Sequence, residues 1–151
     1  NEAFIARHRL ARPPPRMTHR LDLHYPGLFT VLGCDVPTTN VAAGGTIDVT
    51  CYFRVEGETD RELNMMLDVE LPRGERAIPH FHGRHTPLHG RYPTTQWRIG
   101  EILADPSPIR VPGELPTAMS ARLLFSVQDR RTREVLTYDD HTETFSLENP
   151  P

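Results

Sequence analysis

Thr46-Ile47-Asp48-Val49-Thr50-Cys51-Tyr52-Phe53-Arg54-Val55 alternates without a slip. Ile47, Val49, Cys51 and Phe53 fall on one side, and Thr46, Asp48, Thr50, Tyr52 and Arg54 on the other. A period of two over ten residues is the mark of a half-buried β-strand. Residues 28–36 before it form a second apolar, β-branched run, and the connection over 37–45 ends in Gly44-Gly45, which suits a hairpin loop. Further along, 63–71 alternates again and stops at the turn Pro72-Arg73-Gly74-Glu75. Runs at 97–103, 109–111, 118–127, 134–138 and 142–147 follow. Turn signals separate them at Asp105-Pro106, Pro112-Gly113 and Asp129-Arg130-Arg131. Met65-Met66-Leu67 and 119–124 have helical propensity, but their lengths and flanks assign them to strands. The pattern predicts an all-β sandwich of seven to nine short antiparallel strands, immunoglobulin-like or jelly-roll in type.

The whole chain agrees with that reading. Its 151 residues fit one domain, and its 15 prolines and 10 glycines are scattered, as many turns require. Residues 1–20 stand apart. Five arginines there face only Glu2, a local charge of +4, and the remaining residues carry −7 of the net −3. Pro13-Pro14-Pro15 disfavours helix and sheet and holds the chain extended. The sequence therefore predicts an irregular arm or linker over 1–20 and the sandwich over 21–151. A basic arm could meet anionic lipid, but without aromatic interleaving beyond Phe4 a nucleic-acid partner is not expected. No apolar run reaches the ~20 residues of a membrane-crossing helix.

Gly90-Arg91-Tyr92-Pro93-Thr94-Thr95-Gln96-Trp97-Arg98-Ile99-Gly100-Glu101, then Asp105 and Ile109-Arg110-Val111-Pro112, carry a resemblance. The stretch is similar to a β-sandwich module at the extracytoplasmic C-terminus of bacterial membrane glycosyltransferases of the protein-mannosyltransferase type. Leu32-Gly33-Cys34-Asp35 and residues 45–53 resemble the opening of that module, and 123–138 its last strands, so residues 28–138 are covered. A more distant similarity is to the glycan-binding sandwich of O-antigen exporter ATPases. The resemblance implies an accessory module of the cell envelope, periplasmic or at the cell surface, whose parent can be membrane-anchored. Its partner would be a glycan or a neighbouring envelope protein. It transmits no catalytic residue. The motif's residues have architectural tasks: Trp97 plugs the space between sheets, Gly90, Pro93 and Gly100 shape turns, and Glu101 or Asp105 bonds backbone at a strand edge. In the resembled modules the positions of Cys34 and Cys51 hold bulky apolar residues. The two cysteines can meet across the 37–45 hairpin, but this favours free, buried thiols over a disulfide.

Chemistry-bearing residues cluster in one place. His80, His82, His85 and His89 lie within ten residues, and His80 and His82 share one face of an extended segment. Such spacing suits a Zn, Ni or Cu site, with His141 as a distant fourth ligand; a solvent-exposed loop of incidental histidines is the plainer reading, in which no cofactor is bound. Tyr25, Tyr52, Tyr92 and Tyr138 are candidate sugar-stacking rings, of which Tyr52, Tyr92 and Tyr138 are preferred. Glu101 with Asp105, or Asp139-Asp140-His141, bring acid and base types together, but no nucleophile elbow or phosphate loop accompanies them. The sequence thus points to a non-catalytic binding module, with a metal-binding protein or a self-assembling structural subunit as alternatives.

Overall fold

The computed structural model describes residues 1–36, 44–70, 85–110, 120–138 and 144–148. A short helix α1 (Glu2–His8) leads to β1 (Arg9–Leu10), β2 (His19–Tyr25), β3 (Phe29–Asp35), β4 (Thr46–Val55) and β5 (Leu63–Glu70). Two 3₁₀ turns, Pro87–Gly90 and Thr94–Gln96, precede β6 (Ile102–Arg110), β7 (Ser120–Asp129) and β8 (Thr144–Glu148). One sheet has the order β1-β6-β4-β3-β2 and the other β5-β7-β8, and the pairings are antiparallel. The protein is an all-β sandwich, as the alternation in β4 requires.

Burial follows the period of two. Ile47, Val49, Cys51, Phe53 and Val55 of β4 are buried, and they join Leu63, Met65 and Leu67 of β5 and Phe125 and Val127 of β7 in one core. Phe53 and Phe125 meet between the layers, ring centres 6.1 Å apart. Trp97 is 3% exposed and packs its ring 5.6 Å from Phe29 and 5.5 Å from Phe53. It sits in the connection before β6 rather than in a strand.

Several expectations are corrected. The cysteines are not free: Cys34 and Cys51 are joined in a disulfide. They are direct cross-strand partners of β3 and β4, both pointing into the core, with Cα atoms 4.1 Å apart. That close spacing marks a non-hydrogen-bonded pair. The N–H and C=O of Cys51 therefore point the other way, toward its β6 partner Asp105. One step along, Pro106 opposes Thr50 with its ring nitrogen turned to the far edge of the sheet, and Pro108 repeats this two residues on. Neither proline breaks the ladder. Asp105-Pro106 is consequently the middle of one strand, and the two short runs expected at 97–103 and 109–111 merge into β6. Prolines so placed also deny the free edge to foreign strands. Among the described residues the run at 134–138 provides a single bridge, Gln128 to Val135. The hairpin tip at 37–43 lies outside the described residues.

Residues 1–20 are not a detached arm. Phe4 and Ile5 are 8% and 6% exposed in the core cluster, and β1 pairs with Ile102 and Leu103 of β6. His19 and Arg20 open β2, which pairs with β3. Because β1 and β2 occupy opposite edges of the five-stranded sheet, residues 11–18 must cross four strand spacings, roughly 19 Å. Eight residues with three prolines span that distance as an extended strap that needs no ladder of its own. Thr18 ends the strap by donating its hydroxyl to the Cys34 carbonyl and accepting the Val36 N–H. The prolines mark a strap, and sequence composition alone does not distinguish a strap from a linker.

Two stability outcomes follow. Replacing Cys34 and Cys51 together by Ala releases a staple across 17 positions and should cost about 3 kcal/mol, read as a lower urea midpoint; wild-type protein under reductant should shift likewise. Trp97→Ala should cost ~3–5 kcal/mol, and a midpoint close to wild type would show that the ring is not central.

Candidate ligand cleft

Asp105 places the site. It projects inward from β6 with no exposed surface. Its Oδ1 accepts the Leu88 N–H at 2.8 Å, and its Oδ2 accepts His85 Nε2–H at 2.7 Å. With Nε2 donating, His85 Nδ1 is the acceptor for the Ser107 hydroxyl at 3.2 Å. The His85 backbone exchanges both hydrogen bonds with Met65 of β5, so this residue ties one sheet to the other. Leu88 and His89 are then held at φ 55° and 56°, and Gly90 follows at 73°. Left-handed backbone at non-glycine residues costs energy and persists only where the surroundings enforce it. The buried Leu88 side chain and its bond to Asp105 do so here.

This bend delivers Tyr92 and Trp97. Trp97 Nε1–H donates to the Tyr92 carbonyl at 2.8 Å, and the Tyr92 hydroxyl donates to the Glu101 carboxylate at 2.7 Å. Burial first, and then this bond, raise the Tyr92 phenol above its usual range, against a lowering pull from Arg9. Glu101 also accepts the Arg98 N–H at 2.7 Å and meets Arg9 Nη2 at 2.6 Å. Gly100, at φ 93°, closes the turn that lets Glu101 reach back.

An open cleft lies over this network. Its walls are α1 and β1, the 58–60 connection, and the 95–99 segment. Glu58, Asp60, Thr95, Gln96 and Arg98 face it, exposed, and their side chains make no hydrogen bond or ion pair among the described residues. Ile99, 65% exposed, adds an apolar contact at the rim. The 58–60 wall is anchored from behind. Arg61 Nε–H donates to Asp129 Oδ2 at 2.7 Å and its Nη2 meets Glu134 at 3.0 Å. Asp129 Oδ1 accepts the N–H groups of Arg131 and Thr132. The Thr132 bond first, and then Arg61, hold the Asp129 carboxyl down at about 2.

The candidate residues scatter across the molecule. Tyr92 is 5% exposed and Tyr25 is fully buried, so neither presents a stacking face. Tyr52 is half-buried on β4 and donates its hydroxyl to Asp35 at 2.7 Å; burial, followed by that bond, pushes its phenol up to about 12. Tyr138 is half-buried and packs 5.7 Å from the Tyr25 ring. The expectation of exposed rings is thereby corrected for Tyr25 and Tyr92, while Tyr52 and Tyr138 keep part of their surface open. His80, His82 and His141 lie outside the described residues, as do Asp139 and Asp140. His85 is engaged by Asp105 and Ser107, whereas His89 packs on Phe4, ring centres 5.7 Å apart. No metal-ligating group of three or more is formed among the described residues. Glu101 and Asp105 each serve internal bonds rather than facing one another as an acid–base pair. Ser107, His85 and Asp105 do form a hydrogen-bonded chain, but Ser107 is 2% exposed and offers a substrate no approach. Sequence reasoning missed Glu58 and Asp60, which have no periodic or motif signal beyond lying in a polar connection, and gave Thr95 and Gln96 no role although they lie inside the Gly90–Glu101 motif.

No protein-family model matches the chain, and a search of curated proteins finds no match. Among solved structures, a calcium-binding mutant of Bacteroides uniformis beta-glucuronidase 2 is similar at 16% identity and TM-score 0.44, over 80% of this chain. The same enzyme covalently bound to cyclophellitol-6-carboxylate aziridine is similar at 16% identity and TM-score 0.39, over 86%. The chain spans only 14% and 16% of the length of those proteins.

The Asp129 anchor has a pH signature. A carboxyl held at about 2, below its ordinary 3.8, adds stability that is complete above pH ~4 and lost as pH falls through about 2. The urea-midpoint gap between wild type and Asp129→Asn should be wide at pH 6 and narrow by pH 2.5. A gap that stays constant would remove Asp129 as the anchor.

Proposed function

We propose that the chain is a non-catalytic binding module of the bacterial cell envelope and that it holds a glycan in this cleft. The observation that carries the reading is the set of unengaged groups around the opening. Carboxylates, a hydroxyl, an amide and a guanidinium supply both acceptors and donors, which is what a ring of sugar hydroxyls requires. Ile99 beside them offers apolar contact to a sugar's C–H face. Meanwhile Glu101, Asp105 and His85, the groups with acid–base chemistry, are committed to holding the fold.

Two further features support the setting. The resemblance of residues 28–138 to the extracytoplasmic module of membrane glycosyltransferases favours the envelope. The Cys34–Cys51 disulfide fits an oxidising compartment, where such bonds form and persist. The strand order also supports a recognition scaffold. β4 beside β6, and β7 between β5 and β8, are the neighbour relations of B–E and C–F–G in constant-type immunoglobulin sandwiches, with β1 in the place of strand D. That architecture gathers its loops at the ends of the sandwich, and the cleft is built from such connections.

Titration of the protein with a panel of envelope oligosaccharides, followed by NMR shifts of backbone amides, tests the reading. Shifts should centre on 58–60 and 95–99, and Gln96→Ala or Asp60→Ala should each weaken binding about fivefold, as loss of one hydrogen bond implies. Added chelator should leave affinity unchanged. A panel that moves no cleft resonance overturns the glycan assignment.

A further inference from the structure

The N-terminal segment is held much as a bound peptide is held. Phe4 and Ile5 enter the edge of the core, and the Arg91 guanidinium lies 4.8 Å over the Phe4 ring. Arg9 meets Glu101 at 2.6 Å and stands 6.0 Å from the centre of the Tyr92 ring. β1 then adds two residues beside β6. Guanidinium on carboxylate, aromatic contact, two apolar anchors and a short β-addition are recurring terms of peptide recognition. The charges match as well: Arg7 and Arg9 against Glu2 give residues 1–10 a charge of +1, and Glu58, Asp60 and Glu101 outnumber Arg98 along the receiving slot.

The helix of this segment depends on its docking. α1 is seven residues long, the Asn1 side chain caps none of its N–H groups and donates instead to the Arg91 carbonyl at 3.3 Å, and a helix this short does not persist unaided. The 11–18 strap joins it to β2, and three consecutive prolines there stiffen the chain. At roughly 3 Å per residue in extended form, the strap reaches as far outward to a neighbour as it does back across its own sheet.

We propose that this slot is an exchange site: the N-terminal segment of a second copy of this chain enters it, with Arg9 of the partner subunit on Glu101 and Tyr92. The exchange is reciprocal and closes a two-fold dimer. Every contact of the closed monomer is kept, so the two forms differ chiefly in the path of the strap. Dilute protein favours the closed form, because an intramolecular segment is present at millimolar effective concentration. Crowded copies favour the dimer. The proposal does not depend on the glycan reading, because it rests on the seating of residues 1–10 alone.

Charge reversal tests it. Arg9→Glu and Glu101→Arg, prepared separately, should each remain monomeric and lose protection of the segment, with trypsin cutting at Arg7 and Arg16 about tenfold faster. Mixed in equal amounts, the two variants should form a heterodimer by light scattering and regain protection, since each segment then meets an opposite charge in the other copy. The double variant in one chain is the reference for restored docking. A mixture that stays monomeric and cleavable beside a protected double variant overturns exchange and confines the segment to its own chain. Should Glu101→Arg fail to fold, wild-type protein at about 1 mM, the effective concentration of a tethered segment, decides alone. Sedimentation must show a dimer that grows with concentration and is absent in Arg9→Glu. A monomer throughout overturns the proposal.

Discussion

A buried carboxylate is tolerable only when its oxygens are satisfied, and the 85–101 segment is arranged around satisfying Asp105. Its two oxygens take the Leu88 N–H and His85 Nε2–H, and His85 is simultaneously a backbone partner of Met65 on the opposite sheet. One side chain therefore fixes the distance between layers and the start of the left-handed bend at Leu88 and His89. Everything downstream inherits that bend. Tyr92 turns back to receive the Trp97 N–H, Trp97 fills the space beside Phe29 and Phe53, and Glu101 closes on Tyr92. Removing the carboxylate would leave a buried amide and imidazole without their acceptor as well as breaking one contact.

The second constraint is the opposing demand of a sheet edge. β6 must be paired on one side with β4 and protected on the other. Pro106 and Pro108 accomplish both, because a missing N–H is harmless on the side that has no ladder. β1 covers the same edge only at Ile102 and Leu103, where there is no proline. The division is coherent: a short stretch of edge is left able to pair, and the N-terminal segment is brought there by the strap. Arg9 then reaches Glu101 at the entrance to the cleft, so protection of the edge and construction of the cleft wall are one event.

Legibility in the sequence follows from which constraints are local. The sandwich was readable because alternation in β4, β5 and β7 is a property of each strand alone. β2 was hidden in 19–25 because Asp22, at φ 52°, interrupts the alternation with a register shift and the flanking arginines suggest solvent. β6 was cut in two by Asp105-Pro106, whose harmlessness depends on which neighbour lies on which side. The disulfide was within reach geometrically, but the comparison with apolar residues in the resembled modules argued against it. Cross-strand register, which a hairpin tip alone does not supply, decides such a pair. The cleft was the least legible feature. Glu58 and Asp60 come close to Thr95 and Gln96 only after Arg61 is drawn to Asp129 and Trp97 is buried, contacts separated by more than thirty positions.

The tyrosines show the same logic from the opposite direction. A tyrosine read from sequence is an amphipathic ring that can stack on a sugar or complete a core, and the choice belongs to its neighbours. Tyr92 is drawn inward because Glu101 can satisfy its hydroxyl at the cleft floor, whereas Tyr52 stays half-buried on the outer face of β4, where Asp35 accepts its hydroxyl. Each ring so used stiffens the scaffold and leaves the cleft opening to smaller polar groups. In the proposed glycan-binding role such a surface would read its ligand through directed hydrogen bonds that compete with water, with modest affinity per contact and a selectivity set by how rigidly Thr95, Gln96, Glu58 and Asp60 are held. Rigidity is what the surrounding network supplies: Asp105 sets the bend, Glu101 closes the turn at Gly100, and Arg61 pins the facing connection. The polar groups at the opening can remain unengaged because those behind them are fully engaged.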